Sequence, residues 1–312
     1  MNLHILDTSN YIYAGTFTNQ YISRGIRETN GTYGANEAPI GGVKFLLNSI
    51  ARILKDDPDA VIMPVFDRTP EIKRGMYLEA YGLQYGYKGT RAAKPMNIDK
   101  QKEYSENILR DLGLVVQAVD QYEADDVIYS LVKYYKEDFD HIYVHTKDSD
   151  MFFLVSDNVS IAPVSQKDKS IDIYNYPTMV DSKNHTLYNT IHLRKLCAGD
   201  RSDNIPGVGW VWAEKLDELI DRDTYAKLGD LELCRKYLKE VVNKNPTVPG
   251  AHNLLSTFNI VCPLLIPYDL LDDVEQDIDL QKLSYYKNNW DKSMDRWNLE
   301  DMLSDYIDSY YE

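Results

Sequence analysis

Short apolar runs alternate with stretches of helical periodicity along the first half of the chain. Residues three or four apart are apolar over 41–54, 99–113 and 123–137, which predicts helices. The apolar runs are rich in β-forming residues and predict strands: LHIL (3–6), AVIMPVF (60–66), IYVHT (142–146) and VSIAPV (159–164). Strands that alternate with helices indicate a parallel sheet in an α/β domain.

The second half of the chain has a different pattern. From about residue 190 onward the apolar residues mostly keep helical spacing, and no convincing strand is predicted. The segment NKNPTVPG (243–250) is typical of a loop. The last residues are acidic and rich in tyrosine, which favours irregular helix that frays at its end.

Composition limits the class of protein. A chain of 312 residues, 44% hydrophobic and 27% charged, is long enough for one large domain with an appended piece or for two domains. The cysteines Cys197, Cys234 and Cys262 fit no zinc-ligand spacing, and an odd number argues against a complete disulfide framework. We therefore expect a protein of the reducing cytoplasm. The chain has neither a basic start before a long apolar run nor 18 consecutive apolar residues, so we expect no secretion and no membrane span.

The charge is unevenly distributed. A net charge of -15 normally argues against nucleic-acid binding, because affinity for phosphate comes largely from lysine and arginine. Residues 68–102, however, hold eight basic and three acidic residues, whereas residues 269–312 hold thirteen acidic and four basic ones. The first region is suited to a polyanion, and the second would repel it.

Carboxylates follow three of the predicted strands. Asp7 and Asp67 come directly after the first and second strands, and Asp148 and Asp150 come after the third. The carboxyl ends of parallel strands meet at one edge of a sheet, where open α/β sheets bind their ligands. If the backbone stays extended, the side chains of Asp148 and Asp150 point the same way.

Two further acidic groups have an ordinary explanation when taken alone. Glu123, Asp125 and Asp126 open a predicted helix, where acids complement the helix dipole and cap free N–H groups. Asp200 and Asp203 are three residues apart in LCAGDRSDNIPGVG (196–209), so we expect them to share one face of a turn or helix. Taken alone, this pair would indicate only a solvent-exposed turn.

Together these nine carboxylates indicate a metal site. Like charges a few ångströms apart repel by roughly 1 kcal/mol per pair at water-like screening, so nine acids at one edge of a sheet need cations. Oxygen ligands select Mg²⁺ or Mn²⁺ over zinc or copper. Two such ions about 3.5–4 Å apart are a common device for phosphodiester hydrolysis. None of the clusters matches a calcium-binding loop of the D-x-[DN]-x-[DN]-G type.

Five motifs in this order resemble one family. DTSN follows the first strand, FDR follows the second, and EADD, TKDSD and GDRSDNIPGVG come after them. Their order and spacing are similar to those of the structure-specific 5′ nucleases, which comprise the flap endonucleases, the 5′ nuclease domain of bacterial DNA polymerase I and the free-standing phage 5′ nucleases. The resemblance covers roughly residues 3–220, and the chain looks most like the phage type.

The resemblance implies a fold and a domain division. It implies a PIN-like nuclease core over residues 1–190, with a helical arch at about 68–102. A helix-three-turn-helix DNA-binding module would follow over 191–265, and an acidic extension over 266–312 would complete a mainly helical C-terminal region. The hairpin of the module would lie in NIPGVG, where Gly207 and Gly209 let the backbone approach phosphate, in part of the family with a bound potassium ion.

The resemblance also implies which acids bind which metal. Asp7, Asp67, Glu123 and Asp125 would surround the first of two Mg²⁺ or Mn²⁺ ions, with Asp126 close by. Asp148, Asp150 and Asp203 would surround the second, with Asp200 close by.

The basic segment acquires a role from the same resemblance. YKGTR (87–91) is similar to the Tyr-Lys-x-x-Arg of the family's arch, where Lys88 and Arg91 would hold the phosphates of a 5′ single strand and direct the scissile bond to the metals. The full set expected to contact DNA is Lys73, Arg74, Tyr87, Lys88, Arg91, Lys94, Gly207, Gly209 and Lys215. For any single lysine or arginine the alternative is a solvated surface charge, and Tyr81, Tyr85 and Tyr87 either stack on bases or pack under a loop.

The sequence departs from the family in three places. Val211 stands where a phosphate-contacting lysine is common, and Lys215 is expected to supply part of that charge. FDR replaces the commoner Phe-Asp-Gly, which predicts that Arg68 lies beside the metals. The acidic tail has no counterpart in the family; we interpret it as a solubilising surface, the alternative being a contact with a replication protein.

The expected function is a magnesium-dependent 5′-3′ exonuclease and flap endonuclease. It would act as a monomer on DNA with a 5′ flap or 5′ end and on the RNA of RNA–DNA hybrids, for primer removal. The expected location is the cytoplasm, which would be that of the bacterial host if the chain is phage-encoded. Two alternatives stay open: a non-catalytic protein that binds DNA junctions on the same scaffold, and a PIN-type ribonuclease.

Overall fold

The structure is a computed structural model that describes residues 1–16, 41–82, 86–91, 94, 98–162, 192, 195–196, 199–207, 231–244 and 251–272. Several predicted features lie outside these ranges. They are Tyr85, Cys197, Gly209, Val211, Lys215 and the acidic tail from residue 273 onward.

A four-stranded parallel sheet forms the centre of the molecule. Its strands are β1 (Asn2–Asp7), β2 (Val61–Val65), β3 (His141–His145) and β4 (Val159–Ile161), in the order β2-β1-β3-β4. The bounds of the four strands lie within one to three residues of those of the apolar runs, so the predicted parallel sheet is confirmed. Each run is nearly continuous in apolar residues because helices cover both faces of the sheet.

The predicted helices are also present. Residues 41–54, 99–113 and 123–137 correspond to α2 (Gly41–Asp56), α4 (Ile98–Asp111) and α5 (Ala124–Tyr135). Further helices within the described ranges are α1 (Thr8–Thr16), α3 (Glu71–Tyr81), α6 (Leu231–Lys244) and α7 (Ala251–Val261), with short 3₁₀ turns at Ser149–Leu154 and Tyr268–Leu270. Two short strands that were not predicted, β5 (Gly199–Asp200) and β6 (Ile205–Pro206), pair antiparallel.

Alternate residues of the sheet build two hydrophobic cores. Leu6 and Ile62 face α1, α2 and α4, whereas Leu3 and Ile5 face α5. The second core continues into α6 and α7 through Leu238 and Phe258. The described helices after residue 230 therefore pack into the same core as the central sheet.

Helices α1 and α2 approach each other closely at two glycines. A Cβ atom at Gly15 would lie 2.4 Å from the carbonyl oxygen of Gly41, and one at Gly42 would lie 2.7 Å from the carbonyl oxygen of Ile12. Only glycine permits this approach, which packs the second half of α1 against the first turn of α2.

Among the described residues, no helix combines the length and the apolar character that crossing a bilayer requires.

Replacing Gly42 by alanine is expected to destabilise the protein by about 2 kcal/mol, because the new methyl group would collide with backbone and with Gln101 Oε1 at 2.8 Å. Urea denaturation followed by circular dichroism measures the change. Gly75→Ala is the matched control: Gly75 lies within α3 with nothing within 4 Å of an added Cβ, so better helix propensity should stabilise it by up to about 1 kcal/mol. Equal effects of the two substitutions would contradict this account.

Candidate active site

The carboxyl ends of β1 and β2 bring two acids together. Asp7 is the last residue of β1, and Asp67 lies two residues beyond the end of β2. Thr146, directly after β3, donates to Asp7 Oδ2 at 3.0 Å, and Asn10 donates to the same carboxylate. Asp67 accepts hydrogen bonds from Ser9 and from the backbone N–H of Ala124. Side chains around the strand ends thus fix both carboxylates.

The N-terminus of α5 carries three more acids with different surroundings. Glu123 is the N-cap and forms a reciprocal capping box with Asp126. Asp126 Oδ2 accepts from the backbone N–H of Glu123 at 3.0 Å, and Oδ1 accepts from that of Leu264 at 2.7 Å. Asp125 lies close enough to Asp7, Glu123 and Asp148 for their charges to interact.

The expectation that Asp126 lies among the metal ligands is therefore corrected. Its side chain is 1% exposed, and both oxygens are engaged in holding the helix start and the segment after α7. For this residue the ordinary interpretation of an acid in a first helical turn is the right one.

Asp148 and Asp150 follow β3 in a turn. The backbone does not stay extended: Asp148 is the N-cap of a 3₁₀ turn that begins at Ser149, and its side chain accepts from the backbone N–H of Asp150 at 2.9 Å. The premise that the two side chains point the same way along a strand was therefore wrong. The residues are nevertheless neighbours, because a capping hydrogen bond joins them.

The segment 199–207 folds back on itself. Gly199 has a φ of 81°, and a Cβ atom there would lie 2.5 Å from the backbone nitrogen of Gly207, so β5 and β6 can pair only with glycine at this position. Asp200 Oδ1 accepts from the backbone nitrogen of Ser202 at 2.8 Å and from that of Asp203 at 3.3 Å. The Asp200 side chain thus holds the backbone of the turn that contains Asp203.

The basic segment YKGTR docks against this turn. The backbone nitrogen of Lys88 donates to the carbonyl oxygen of Asp203 at 3.2 Å, and Thr90 Oγ1 donates to that of Arg201 at 2.9 Å. Arg91 Nη2 donates to Asp203 Oδ1 at 2.7 Å. Residues more than a hundred positions apart in the chain therefore form one unit.

Lysines neutralise most of the carboxylates. Lys88 forms an ion pair with Glu123, Lys102 lies 3.2 Å from Asp67, and Lys195 bridges Asp150 and Asp200. Lys102 was expected only as part of the basic segment 68–102, and Lys195 was not predicted to lie near the acids. Lys195 lies five residues before Asp200, but only the fold turns it toward two acids.

Two residues expected to contact DNA are buried. Lys73 is 3% exposed, and its ammonium group contacts Asp126 at 2.8 Å and Glu123 at 3.3 Å. Tyr87 is 8% exposed, donates its hydroxyl to Glu123 at 2.9 Å and packs against Tyr77. Both expectations are corrected, because these side chains contact buried acids instead. They support from inside the set of nine carboxylates, which we call the acidic cluster.

Other predicted residues are where a ligand can reach them. Arg74 and Lys94 are exposed and pair with Glu71 and Asp99. Gly207 is exposed as well.

Two side chains near the basic segment have partners within the protein. Arg68 directly follows Asp67, and its guanidinium binds both oxygens of Glu106 at 2.8 and 3.0 Å. Tyr81 packs on Tyr77 and shares a hydrogen bond with Thr257, which favours packing over base stacking.

The carboxylates act on one another's protonation. Burial, together with the charges of Asp67 and Asp148, raises the pKa of Asp7 to about 7. Burial and the charges of Asp148 and Glu123 raise the pKa of Asp125 well above its usual value. Burial and Asp148 raise the pKa of Asp150 to about 6. These side chains therefore lie in one shared negative field, which favours binding of a cation.

Asp67 is an exception because of its cationic partner. Burial alone would raise the pKa of its carboxyl group, but the nearby Lys102 ammonium and the hydrogen bond from Ser9 outweigh it and lower the pKa to about 2. Asp67 therefore stays ionised at neutral pH.

The donor set suits a hard divalent cation. In the part of the chain that the structure describes, no group of three or more histidine, cysteine or acidic side chains is arranged to hold a metal ion as it stands. The lysine ammonium groups lie against these acids instead. Among the described residues, the buried Asp150 Oδ1 has no hydrogen-bond partner, so a cation or a donor would be favourable there. Oxygen donors with strongly perturbed pKa values fit Mg²⁺ or Mn²⁺.

The sequence is similar to proteins of known function. The family model for the 5′-3′ exonuclease N-terminal resolvase-like domain matches residues 2–183. DNA polymerase I of Caldicellulosiruptor bescii is 29% identical over 245 residues, which are 76% of this chain and 27% of the polymerase. A 5′-3′ exonuclease of Buchnera aphidicola is 28% identical over 207 residues, covering 65% of this chain and 64% of the relative. The chain thus spans about a quarter of the polymerase it matches.

Solved structures share the fold. The T5 D15 protein co-crystallised with metal ions superposes with a TM-score of 0.52 at 18% identity, covering 94% of this chain and 100% of the T5 chain. The T5 5′-exonuclease with bound zinc superposes with a TM-score of 0.51 at 16% identity, covering 100% and 98%. At this identity the likeness shows the fold alone, which is α/β with a parallel sheet. Because the family model covers more than half of the chain, the protein belongs to the 5′-3′ exonuclease family of nucleases.

Proposed function

We propose that the protein is a divalent-metal-dependent 5′-3′ exonuclease and flap endonuclease that hydrolyses phosphodiester bonds. The observation that carries the proposal is the shared negative field of Asp7, Asp125, Asp148 and Asp150 beside a basic segment docked by Arg91 to Asp203. A site that only binds DNA does not need buried carboxylates that repel phosphate.

The proposed ligands of two Mg²⁺ or Mn²⁺ ions are seven acids: Asp7, Asp67, Glu123, Asp125, Asp148, Asp150 and Asp203. Asp200 is proposed to act beside them through Lys195, with which it forms an ion pair at 2.6 Å. When bound, the ions supply an activated water and neutralise charge on the phosphate. Asp150 Oδ1, which is buried and has no hydrogen-bond partner among the described residues, supports the proposed role of Asp150 as a metal ligand.

The basic residues are proposed to bind and orient the substrate. Lys88 and Arg91 stand beside Glu123 and Asp203, so a phosphate that replaced these ion pairs would be held next to the acidic cluster. Arg74, Lys94 and Gly207 are exposed and are proposed to contact the backbone farther from the reacting bond. Gly209 and Lys215 are proposed to contribute to the same duplex grip, with a potassium ion at the hairpin.

The proposed substrates are DNA with a 5′ flap or a 5′ end and RNA–DNA hybrids, which suits primer removal during replication. A monomer is sufficient for this reaction, because a single chain carries all the proposed ligands. A contact between the acidic tail and a replication protein is a further proposal, supported only by the tail's acidic and aromatic composition.

Substituting Asp148 and Asp150 together by asparagine is expected to lower flap cleavage at least about a hundredfold, because the acidic cluster loses two charges that stabilise the transition state through metal. A 5′-labelled flap duplex incubated with Mg²⁺ measures the products on a denaturing gel. Asp157→Asn is the control, since Asp157 is exposed and lies seven residues from Asp150. Full activity in the double variant would refute the assignment; tight flap binding with no cleavage by the wild type in any divalent metal would favour a junction-binding protein.

Lys88→Met is expected to reduce kcat/KM for the flap by about a hundredfold, since it removes a charge that orients phosphate beside the metals. Steady-state cleavage of the flap measures the effect. Lys55→Met removes an equally charged, exposed lysine at the end of α2 and should change kcat/KM less than about twofold. Similar losses in the two variants would show that only the overall charge of the protein matters.

Metal affinity is expected to fall as the pH is lowered. Asp7 and Asp150 have pKa values raised to about 7 and about 6, so their carboxyl groups hold protons below these values and must lose them to bind a cation. Isothermal titration with Mn²⁺ should therefore give about tenfold weaker binding per pH unit for each displaced proton between pH 7 and pH 5.5. A Mn²⁺ affinity that does not change between pH 7 and pH 5.5 would contradict the role of these two acids.

A further inference from the structure

One lysine differs from the others around the acidic cluster in its burial. The side chains of Lys88, Lys102 and Lys195 are about a fifth exposed, whereas that of Lys73 is 4% exposed. Lys73 lies in the first turn of α3, inside the segment whose positive charge predicts a polyanion contact. Its burial means that it can contact neither solvent nor a phosphate without a change in the fold.

The two partners of Lys73 have different tasks. Its Nζ lies 2.8 Å from Asp126 Oδ1 and 3.3 Å from Glu123 Oε2. Asp126 caps α5 and binds the backbone of Leu264, while Glu123 also contacts Lys88 and Tyr87. The ammonium group therefore sits between a carboxylate that holds the fold and one that belongs to the proposed metal site.

The energetics follow from this position. Acids crowded at one end of a helix repel each other, and a divalent ion relieves that repulsion only when it is bound. A buried ammonium group that contacts two carboxylates relieves it at all times. Removing one partner of such a buried pair leaves an uncompensated charge, which is strongly destabilising.

We propose that Lys73 is a positioning residue: a resident cation, bound to Glu123 and Asp126, that lets the acidic cluster fold without metal and weakens the cluster's affinity for divalent ions. It acts through these two carboxylates and does not contact the substrate. The inferred effect on affinity for divalent ions rests on the proposed metal site, whereas the inferred role in folding without metal does not.

The test compares Lys73→Met with the wild type and with Lys55→Met as a control of equal charge change. In EDTA, Lys73→Met should lower the Tm by about 10 °C, and the control by less than about 2 °C. Mn²⁺ affinity by isothermal titration should become about tenfold tighter in Lys73→Met, because the incoming ion no longer meets a fixed positive charge. A purely structural role predicts unchanged or weaker Mn²⁺ binding, and that result overturns the proposal, as does an unchanged Tm in EDTA.

A second variant separates charge from lost packing. Lys73→Met combined with Asp126→Asn restores the net charge of the cluster, so the Tm in EDTA should recover at least half of the loss and Mn²⁺ affinity should return to within about threefold of the wild type. A double variant that binds Mn²⁺ as tightly as Lys73→Met overturns the proposal. If neither the wild type nor any variant binds Mn²⁺, the proposed metal site is wrong. The Tm values in EDTA then still decide whether Lys73 is the resident cation.

Discussion

Repulsion between carboxylates at the ends of parallel strands is the constraint on which the rest of the structure depends. Asp7, Asp125, Asp148 and Asp150 come from three separate stretches of chain and share one negative field. Such a field is unfavourable in a folded protein unless cations lie nearby. Lysines from α3, α4, the 86–91 turn and the segment before β5 supply those cations, and so the acids draw distant parts of the chain together.

This arrangement explains how a protein with a net charge of -15 can suit a polyanion. The basic turn at 86–91 is held against the 199–207 turn by a backbone hydrogen bond from Lys88, a side-chain hydrogen bond from Thr90 and the Arg91–Asp203 ion pair. Its charges therefore stay beside the acids instead of spreading over the surface. When a phosphate group binds, the basic side chains of this turn exchange their carboxylate partners for the phosphate, which limits the electrostatic cost of binding.

The periodicity of the sequence predicted the strands and the helices α2, α4 and α5, because apolar spacing reports directly on the face that is buried. The spacing of acids also predicted which strand ends meet. The contacts of Lys73 and Tyr87 with Glu123 and the bond of Asp126 to Leu264 were not predictable, since these partners lie 36 or more positions away in the chain. The backbone after β3 also turned where an extended run was expected. Arg68 likewise found Glu106, a partner that no local pattern indicates.

The central claim is that carboxylates from separate segments form one site for divalent ions. Crystals of the protein soaked in Mn²⁺ and measured at a wavelength where manganese scatters anomalously test it most directly. The account predicts anomalous peaks bounded by Asp7, Glu123 and Asp125 and by Asp148, Asp150 and Asp203, with the Lys88 and Lys195 side chains displaced from their carboxylate partners. An anomalous map with no peak near these residues at saturating Mn²⁺ would contradict it.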